Sequence, residues 1–113
     1  MAIIPTITAV SYLNTIPFVY GLKHADNLRA DLLLAPPAEC AKNYIEGKAD
    51  IALLPAAVVP ELKQTNIITD YCIGAVGPVR TVTVMSNVPI GRVKRIWLDA
   101  HSRTSVQLAG YLA

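Results

Sequence analysis

The chain is short of the residues that mark several classes of protein. Only 16% of its 113 residues are charged, 6% are aromatic, and the net charge is +2. A nucleic-acid-binding protein usually carries a basic face or interleaved aromatic residues. The basic residues here are scattered apart from Arg92, Lys94 and Arg95. This composition argues against a nucleic-acid partner.

Cysteines and long apolar runs are also scarce. Cys40 and Cys72 are the two cysteines, and they are too few and too far apart to form a metal-ligand cluster. We expect both to be reduced, buried, small apolar residues. Polar and charged residues interrupt every apolar run before it could span a bilayer, and the start at Met1 lacks the basic and apolar regions of an export signal. The sequence predicts a cytoplasmic protein with no membrane association, metal or cofactor.

Apolar residues, in contrast, are abundant. The chain is 53% hydrophobic and its mean hydropathy is +0.42, which is apolar for a single domain of this length. Such an excess is expected where a parallel sheet is buried on both faces. It also arises where a large surface is covered by another part of the assembly.

The first half of the chain alternates strand and helix patterns. Apolar runs at Ile3–Val10, Leu28–Leu34 and Ile51–Leu54 predict strands. Pro17 suits the first turn of a helix between the first two, and Gly47 suits the residue that closes a helix between the second and third. This spacing predicts a βαβ unit. The expected fold class is α/β, with a mixed sheet flanked by helices.

The second half predicts two more strands and a last helix. Residues Thr81–Ser86 alternate and are rich in β-branched side chains, Ile96–Leu98 form a short apolar run, and a helix opens at Ser102. Its apolar residues Val106, Leu108, Ala109 and Leu112 need another layer to cover them. We therefore expect an N-terminal portion of a longer protein, or a chain completed by a second copy of itself.

The stretch from Ile96 to Ser105 is the first candidate site. The first N–H groups of a helix lack internal partners, and the helix dipole favours negative charge there, so a carboxylate or phosphate is a natural guest. Residues Ser102, Arg103, Thr104 and Ser105 would surround it. The alternative is that Ser102 is simply an N-cap.

Other polar residues extend this candidate site. Ser11 and Asn14 follow the first predicted strand, where open α/β sheets place ligands, although a capped turn would explain them equally. Together with Ser86 and Arg80, they suit an anionic organic acid better than covalent catalysis. His24 and His101 have no visible metal partners, and Asp50 is expected to cap the entry to a strand.

Four stretches together resemble one family. Val10–Phe18, Gly47–Pro55, Thr81–Ser86 and Leu98–Val106 are similar, in order, to the signatures of the chorismate dehydratases of the futalosine route to menaquinone. Those enzymes are related to the two-lobed periplasmic-type binding proteins of class II. The resemblance covers all 113 residues, but members of that family are usually more than twice as long.

The resemblance implies a fold and an activity. Residues 1–95 would form the first α/β lobe, and 96–113 would form the hinge crossing and the first helix of a second lobe that is largely missing. The reaction would be dehydration of chorismate to 3-[(1-carboxyvinyl)oxy]benzoate. On its own, this portion is expected to be inactive.

The resemblance also implies roles for individual residues. Asn14 would lie nearest the chemistry, with Ser11 beside it, and Ser86 would hold the substrate from the hinge side. Ser102, Thr104 and Ser105, with the neighbouring Arg103, would surround a carboxylate. Two alternatives stay open: a non-catalytic binding protein for a small carboxylate, and a lone lobe that forms a homodimer through its exposed C-terminal helix.

Overall fold

A computed structural model describes residues 3–113. Met1 and Ala2 lie outside the described residues, and so does the start of the predicted first lobe and of the region examined for an export signal. The α/β class is confirmed: a three-stranded sheet is flanked by helices. The elements are β1 (Thr6–Val10), α1 (Ile16–His24), β2 (Asp31–Ala35), α2 (Pro37–Ile45), β3 (Ile51–Ala52) and α3 (Thr104–Leu112), with 3₁₀ turns at Leu13–Thr15, Ala56–Glu61 and Ile90–Arg92.

Strand β1 is the centre of the sheet. The strand order is β2-β1-β3, and both pairings are parallel. Parallel neighbours need a crossover connection, usually a helix, and α1 and α2 supply the two crossovers. The ladder continues past the assigned strands, since Ser11 N donates to Ala35 O and Leu53 N donates to Thr8 O. The predicted strand–helix–strand unit is therefore confirmed.

The core lies between this sheet and α2. Ile7 and Ala9 of β1, Cys40 and Ala41 of α2, and Val58 are buried. The Cys40 thiol is fully buried and donates to the Ala35 carbonyl oxygen at 3.3 Å, so this cysteine is the packed apolar residue that the sequence predicts. Cys72 is exposed, so the prediction that it is buried is wrong.

Gly47 ends α2 as predicted. Its φ is +70°, a left-handed conformation that glycine adopts without steric cost. Its N–H donates to Tyr44 O at 3.1 Å, and the next N–H, of Lys48, donates to Asn43 O at 2.8 Å. These two bonds are the Schellman pattern, which satisfies carbonyl groups at the helix end.

Asp50 stabilises the entry to the sheet. Its Oδ2 accepts from Thr6 N at 2.8 Å, and its own N–H donates to Thr6 O at 2.9 Å. The carboxylate thus satisfies the first backbone donor of the central strand. The structural role predicted for Asp50 is confirmed.

The prediction of strands at residues 81–86 and 96–98 is wrong. Neither segment is a strand, and for this reason the sheet of the described residues is parallel, whereas the sequence predicts a mixed one. Every residue from 63 to 92 is exposed, so the alternating pattern has no partner strand or core to pack against. The extended segment makes the molecule 61 Å long, with a radius of gyration of 16.7 Å, against about 13 Å for a compact domain of this length.

Candidate functional site

A cleft of about 420 Å³ lies between the start of α2 and the start of α3. We call it the α2–α3 cleft. It combines apolar side chains with two groups of opposite charge and two neutral hydrogen-bonding groups, and it is open to solvent because most of its lining residues are exposed. The lining residues are Ala38, Leu98, Asp99, Ala100, Ser102, Arg103, Val106 and Gln107.

A tight turn built on Asp99 brings the chain into α3. Asp99 Oδ1 accepts from His101 N at 3.0 Å, and Asp99 O accepts from Ser102 N at 3.2 Å. An aspartate that binds the backbone two residues later replaces part of a backbone turn. The turn places Asp99 and Ser102 side by side in the wall of the cleft.

The helix itself begins at Thr104, two residues after the predicted start at Ser102. Arg103 is the N-cap residue, and no side chain makes a capping hydrogen bond. The alternative that Ser102 is a plain N-cap is therefore wrong. The first N–H groups of α3 have no intrahelical acceptor by the geometry of any α-helix, and Ser102 and Arg103 lie in the cleft beside them.

Two long-range hydrogen bonds fix α3 on the 3₁₀ turn after β3. Thr104 Oγ1 accepts from Ala57 N at 3.4 Å, and Gln107 Nε2 donates to Glu61 Oε1 at 3.2 Å. The start of α3 is thereby tied to the segment that leaves the C-terminal end of β3. The Thr104 hydroxyl oxygen, predicted to contact a carboxylate, is already an acceptor for the backbone. Ser105 is half-buried and is not part of the cleft lining.

A second groove runs along the outer side of α2 and shares Arg103 with the cleft. Its volume is about 450 Å³, and it is lined by Ala38, Glu39, Lys42, Ile45, Glu46 and Arg103. Arg103 and Ala38 thus line both depressions. One contains the Asp99 carboxylate, and the other contains two glutamates and a lysine.

The end of this groove carries the clearest electrostatic perturbation. Lys48 Nζ lies 2.6 Å from Glu46 Oε2, and Lys42 Nζ lies 3.9 Å from Glu46 Oε1. The hydrogen bond from Lys48 lowers the pKa of Glu46, and the same bond raises the pKa of Lys48. All three side chains are well exposed, so the pair marks a solvated surface rather than a reaction centre.

The other predicted site residues lie elsewhere. Ser11 and Asn14 follow the C-terminal end of β1, as predicted, and both are exposed. Ser86 is also exposed, and its Oγ accepts from Val88 N at 3.1 Å. None of the three lines the cleft or the groove. The structure brings Ser102 and Arg103 together in one cleft, and it does not add Asn14 or Ser86 to them.

Sequence reasoning missed Ala38 and Gln107 as parts of this cleft. Gln107 follows Arg103 by one helical turn, so the two side chains share a face of α3. That spacing was a usable signal. Ala38 enters the cleft only because α3 packs near α2, and no local pattern reports that contact.

Two features are absent from the residues that the structure describes. No group of three or more His, Cys, Asp or Glu side chains comes together there in a way that could hold a metal ion. No helix among residues 3–113 has the length and apolar character needed to cross a membrane. His24 is exposed, stacks on Tyr20 with ring centroids 4.0 Å apart, and bonds the Tyr20 carbonyl oxygen through Nδ1 at 2.8 Å.

The parallel sheet with its flanking helices defines a protein of the α/β class. The small polar cleft at the start of α3 has room for a small molecule. Residues 5–112 match the family described as menaquinone biosynthesis. The chain belongs to this family, and its role is in that pathway. No solved structure matches the chain.

Proposed function

We propose that this chain is part of a chorismate dehydratase, a carbon–oxygen lyase that converts chorismate to 3-[(1-carboxyvinyl)oxy]benzoate. Membership of the menaquinone biosynthesis family supports the pathway. The observation that carries the proposal is the position of Ser102 and Arg103 together in the α2–α3 cleft at the start of α3. This arrangement suits a carboxylate, and chorismate is a dicarboxylate with an apolar ring.

The cleft offers complementary groups for such a substrate. The Arg103 guanidinium can pair with one carboxylate through two parallel hydrogen bonds, and the Ser102 hydroxyl and the dipole of α3 favour the same charge. Leu98 and Val106 provide apolar surface for the ring. The Asp99 carboxylate would repel a second carboxylate nearby, so the ring acid is expected to bind with only one carboxylate beside Arg103.

The reaction requires little acid–base power from the protein. The ring hydroxyl and a ring hydrogen leave together as water, and formation of the aromatic ring drives the loss. A carboxylate of the substrate can take the proton when the protein fixes its position. Catalysis then comes from positioning and from hydrogen bonds to developing charge, which Asn14, Ser11 and Ser86 would provide.

The proposal includes a domain arrangement. Residues 1–95 would be the first lobe and 96–113 the crossing into a second lobe, as in a class II binding-protein fold. Closing such lobes would bring Asn14 and Ser86 towards a substrate held beside α3. The exposure of Trp97, Leu98, Leu108, Tyr111 and Leu112 supports a covering layer over this region, because monomeric proteins rarely expose so large an apolar patch.

The test is a direct assay of the protein at its full natural length. With chorismate as substrate, mass spectrometry should detect the enolpyruvyl benzoate, lighter than chorismate by one water. Asn14→Ala should lower turnover by about a hundredfold or more, as expected for loss of one group that stabilises developing charge. Its thermal unfolding should stay close to that of the parent, because Asn14 is exposed.

Asn27→Ala is the matched control, since Asn27 is an exposed asparagine in the turn after α1. This variant should keep full turnover. No product from the unmodified protein would overturn the proposal. If calorimetry then showed that chorismate binds and is recovered intact, the protein would be a carboxylate-binding protein instead. Normal turnover of Asn14→Ala would remove Asn14 from the site.

A further inference from the structure

Gln107 lies in the wall of the α2–α3 cleft, where a hydrogen bond to Glu61 orients its exposed amide. Its Nε2 lies 3.2 Å from Glu61 Oε1, and Gln107 is one of the residues that line the cleft. An ionised carboxylate only accepts hydrogen bonds. The amide group must therefore present nitrogen, not oxygen, to Glu61, and a flip of the amide would place two acceptors against each other.

In this orientation, part of the Gln107 amide is available to hydrogen-bond a ligand. One amide hydrogen is used by Glu61, and the second hydrogen and the amide oxygen remain available. Gln107 N donates to Arg103 O at 3.1 Å in the first turn of α3, so the amide stands one helical turn from the guanidinium on the same face. A ligand whose carboxylate pairs with Arg103 would carry its ring substituents towards Gln107.

We infer that Gln107 is a specificity-determining residue of this cleft, held in place by Glu61, which recognises a hydroxyl group on the ring of a bound carboxylic acid. This inference rests on the proposed function and extends it to a residue outside the predicted site. A hydroxyl both donates and accepts, and it matches the oxygen and the remaining N–H of a fixed amide. Chorismate has such a hydroxyl and the dehydrated product does not.

The consequence for the reaction is a difference in affinity between substrate and product. Loss of the ring hydroxyl removes its hydrogen bonds to the Gln107 amide, and each ordinary hydrogen bond makes a modest net contribution to affinity. The product would therefore bind more weakly than the substrate, by about tenfold for one hydrogen bond of ordinary strength. Glu61 acts only as a positioning residue, through Gln107.

The test measures the dissociation constants of chorismate and of its dehydrated product, by calorimetry on the full natural protein, with an Asn14→Ala background to prevent turnover. Gln107→Leu removes the amide and keeps a high helix propensity, and it should bring the ratio of the two constants from about tenfold to near one. Glu61→Gln should also reduce the ratio, because an amide at position 61 no longer dictates which way the Gln107 amide faces.

Two control variants separate specificity from structure. Gln64→Leu changes an exposed glutamine outside the cleft, and Glu39→Gln removes one negative charge from the neighbouring groove. Both should leave the ratio unchanged. A purely structural role for Gln107 would weaken both acids equally and preserve the ratio, so that result would overturn the inference.

The remaining outcomes are also decisive. The inference is wrong if the Asn14→Ala protein with Gln107 intact binds both acids equally. It is also wrong if Gln107→Leu leaves the ratio of the two dissociation constants unchanged. In either case the dehydratase proposal is decided by its own turnover assay. If neither acid binds, this inference fails, and the dehydratase proposal is still decided by its turnover assay. Side-chain amide signals of Gln107 that shift with chorismate but not with the product would support the assignment directly.

Discussion

Substituting Gly47 by alanine isolates the energetic cost of the turn that ends α2. Gly47 has φ of +70°, and no heavy atom lies within 4 Å of the position that a Cβ would take. The variant therefore creates no clash with its surroundings. The two hydrogen bonds of the turn, from Gly47 N to Tyr44 O and from Lys48 N to Asn43 O, use backbone groups that alanine also has.

The expected loss of stability follows from two opposing effects. A residue with a Cβ in the left-handed region is disfavoured by about 1–2 kcal/mol. Alanine also restricts the unfolded chain relative to glycine, which returns about 0.4–1 kcal/mol. The net change for Gly47→Ala is a destabilisation of about 1 kcal/mol, or about 4 °C in Tm for a domain of this size.

Gly21→Ala is the control for the same chemical change in the opposite setting. Gly21 lies inside α1, again with no heavy atom within 4 Å of a new Cβ. In a right-handed helix alanine is preferred over glycine by about 0.5–1 kcal/mol. This variant should therefore stabilise the protein, and urea unfolding followed by circular dichroism should show shifts of opposite sign.

The sign of the Gly47 variant decides whether the reasoning is correct. If Gly47→Ala stabilised the protein as Gly21→Ala does, the left-handed turn would not be the reason for glycine at this position. A much larger loss, near 3 kcal/mol, would also contradict it, because that magnitude requires a steric clash or a lost network and the surroundings of Gly47 contain neither.

Two further predictions concern a surface pair and a buried hydroxyl. Lys48→Met should raise the pKa of Glu46 towards 4.5 in an NMR titration, because the main partner of the Glu46 carboxylate is lost. The control Lys63→Met should leave that pKa unchanged. An unaltered pKa of Glu46 in Lys48→Met would contradict the hydrogen bond. Because the folded-state pKa of Glu46 is lowered, the stabilisation by the pair is fully present above pH 4.5 and is lost as the pH falls through that folded-state pKa. Because the folded-state pKa of Lys48 is raised, the same stabilisation is present below pH 10.5 and is lost as the pH rises through that raised pKa. Thr8→Val should stabilise the protein by about 1 kcal/mol in chemical unfolding, because the Thr8 hydroxyl is buried without a hydrogen-bond partner among the described residues. The control Thr83→Val, at an exposed site, should change the stability little. A clear loss of stability for Thr8→Val would show that the Thr8 hydroxyl has a partner.

Local patterns predicted the elements whose physical causes are local. The helix end at Gly47 and the position of Ser11 and Asn14 after β1 depend on backbone conformation and on the side-chain pattern within a few residues. The strand pattern at 81–86 is also local, yet that segment forms no strand. A strand requires a neighbouring strand for its hydrogen bonds, and none pairs with 81–86 in this structure.

The composition of the candidate site was only partly predictable for the same reason. Ser102 and Arg103 could be placed at a helix start from their neighbours in the sequence. Their packing near Ala38, and the inclusion of Gln107, depend on where α3 settles. That position is set by contacts between distant residues, Ala57 with Thr104 and Glu61 with Gln107.

The sequence by itself determined the α/β class, the crossover pattern of the first half, and the glycine that ends α2. These features follow from hydrophobic periodicity and from the conformations that individual residues allow. Only the tertiary structure decided that the starts of α2 and α3 form one cleft, and that residues 63–92 stay exposed. The physical reason is that a cleft and a strand pairing are relations between segments, and their energies depend on contacts that no single segment contains.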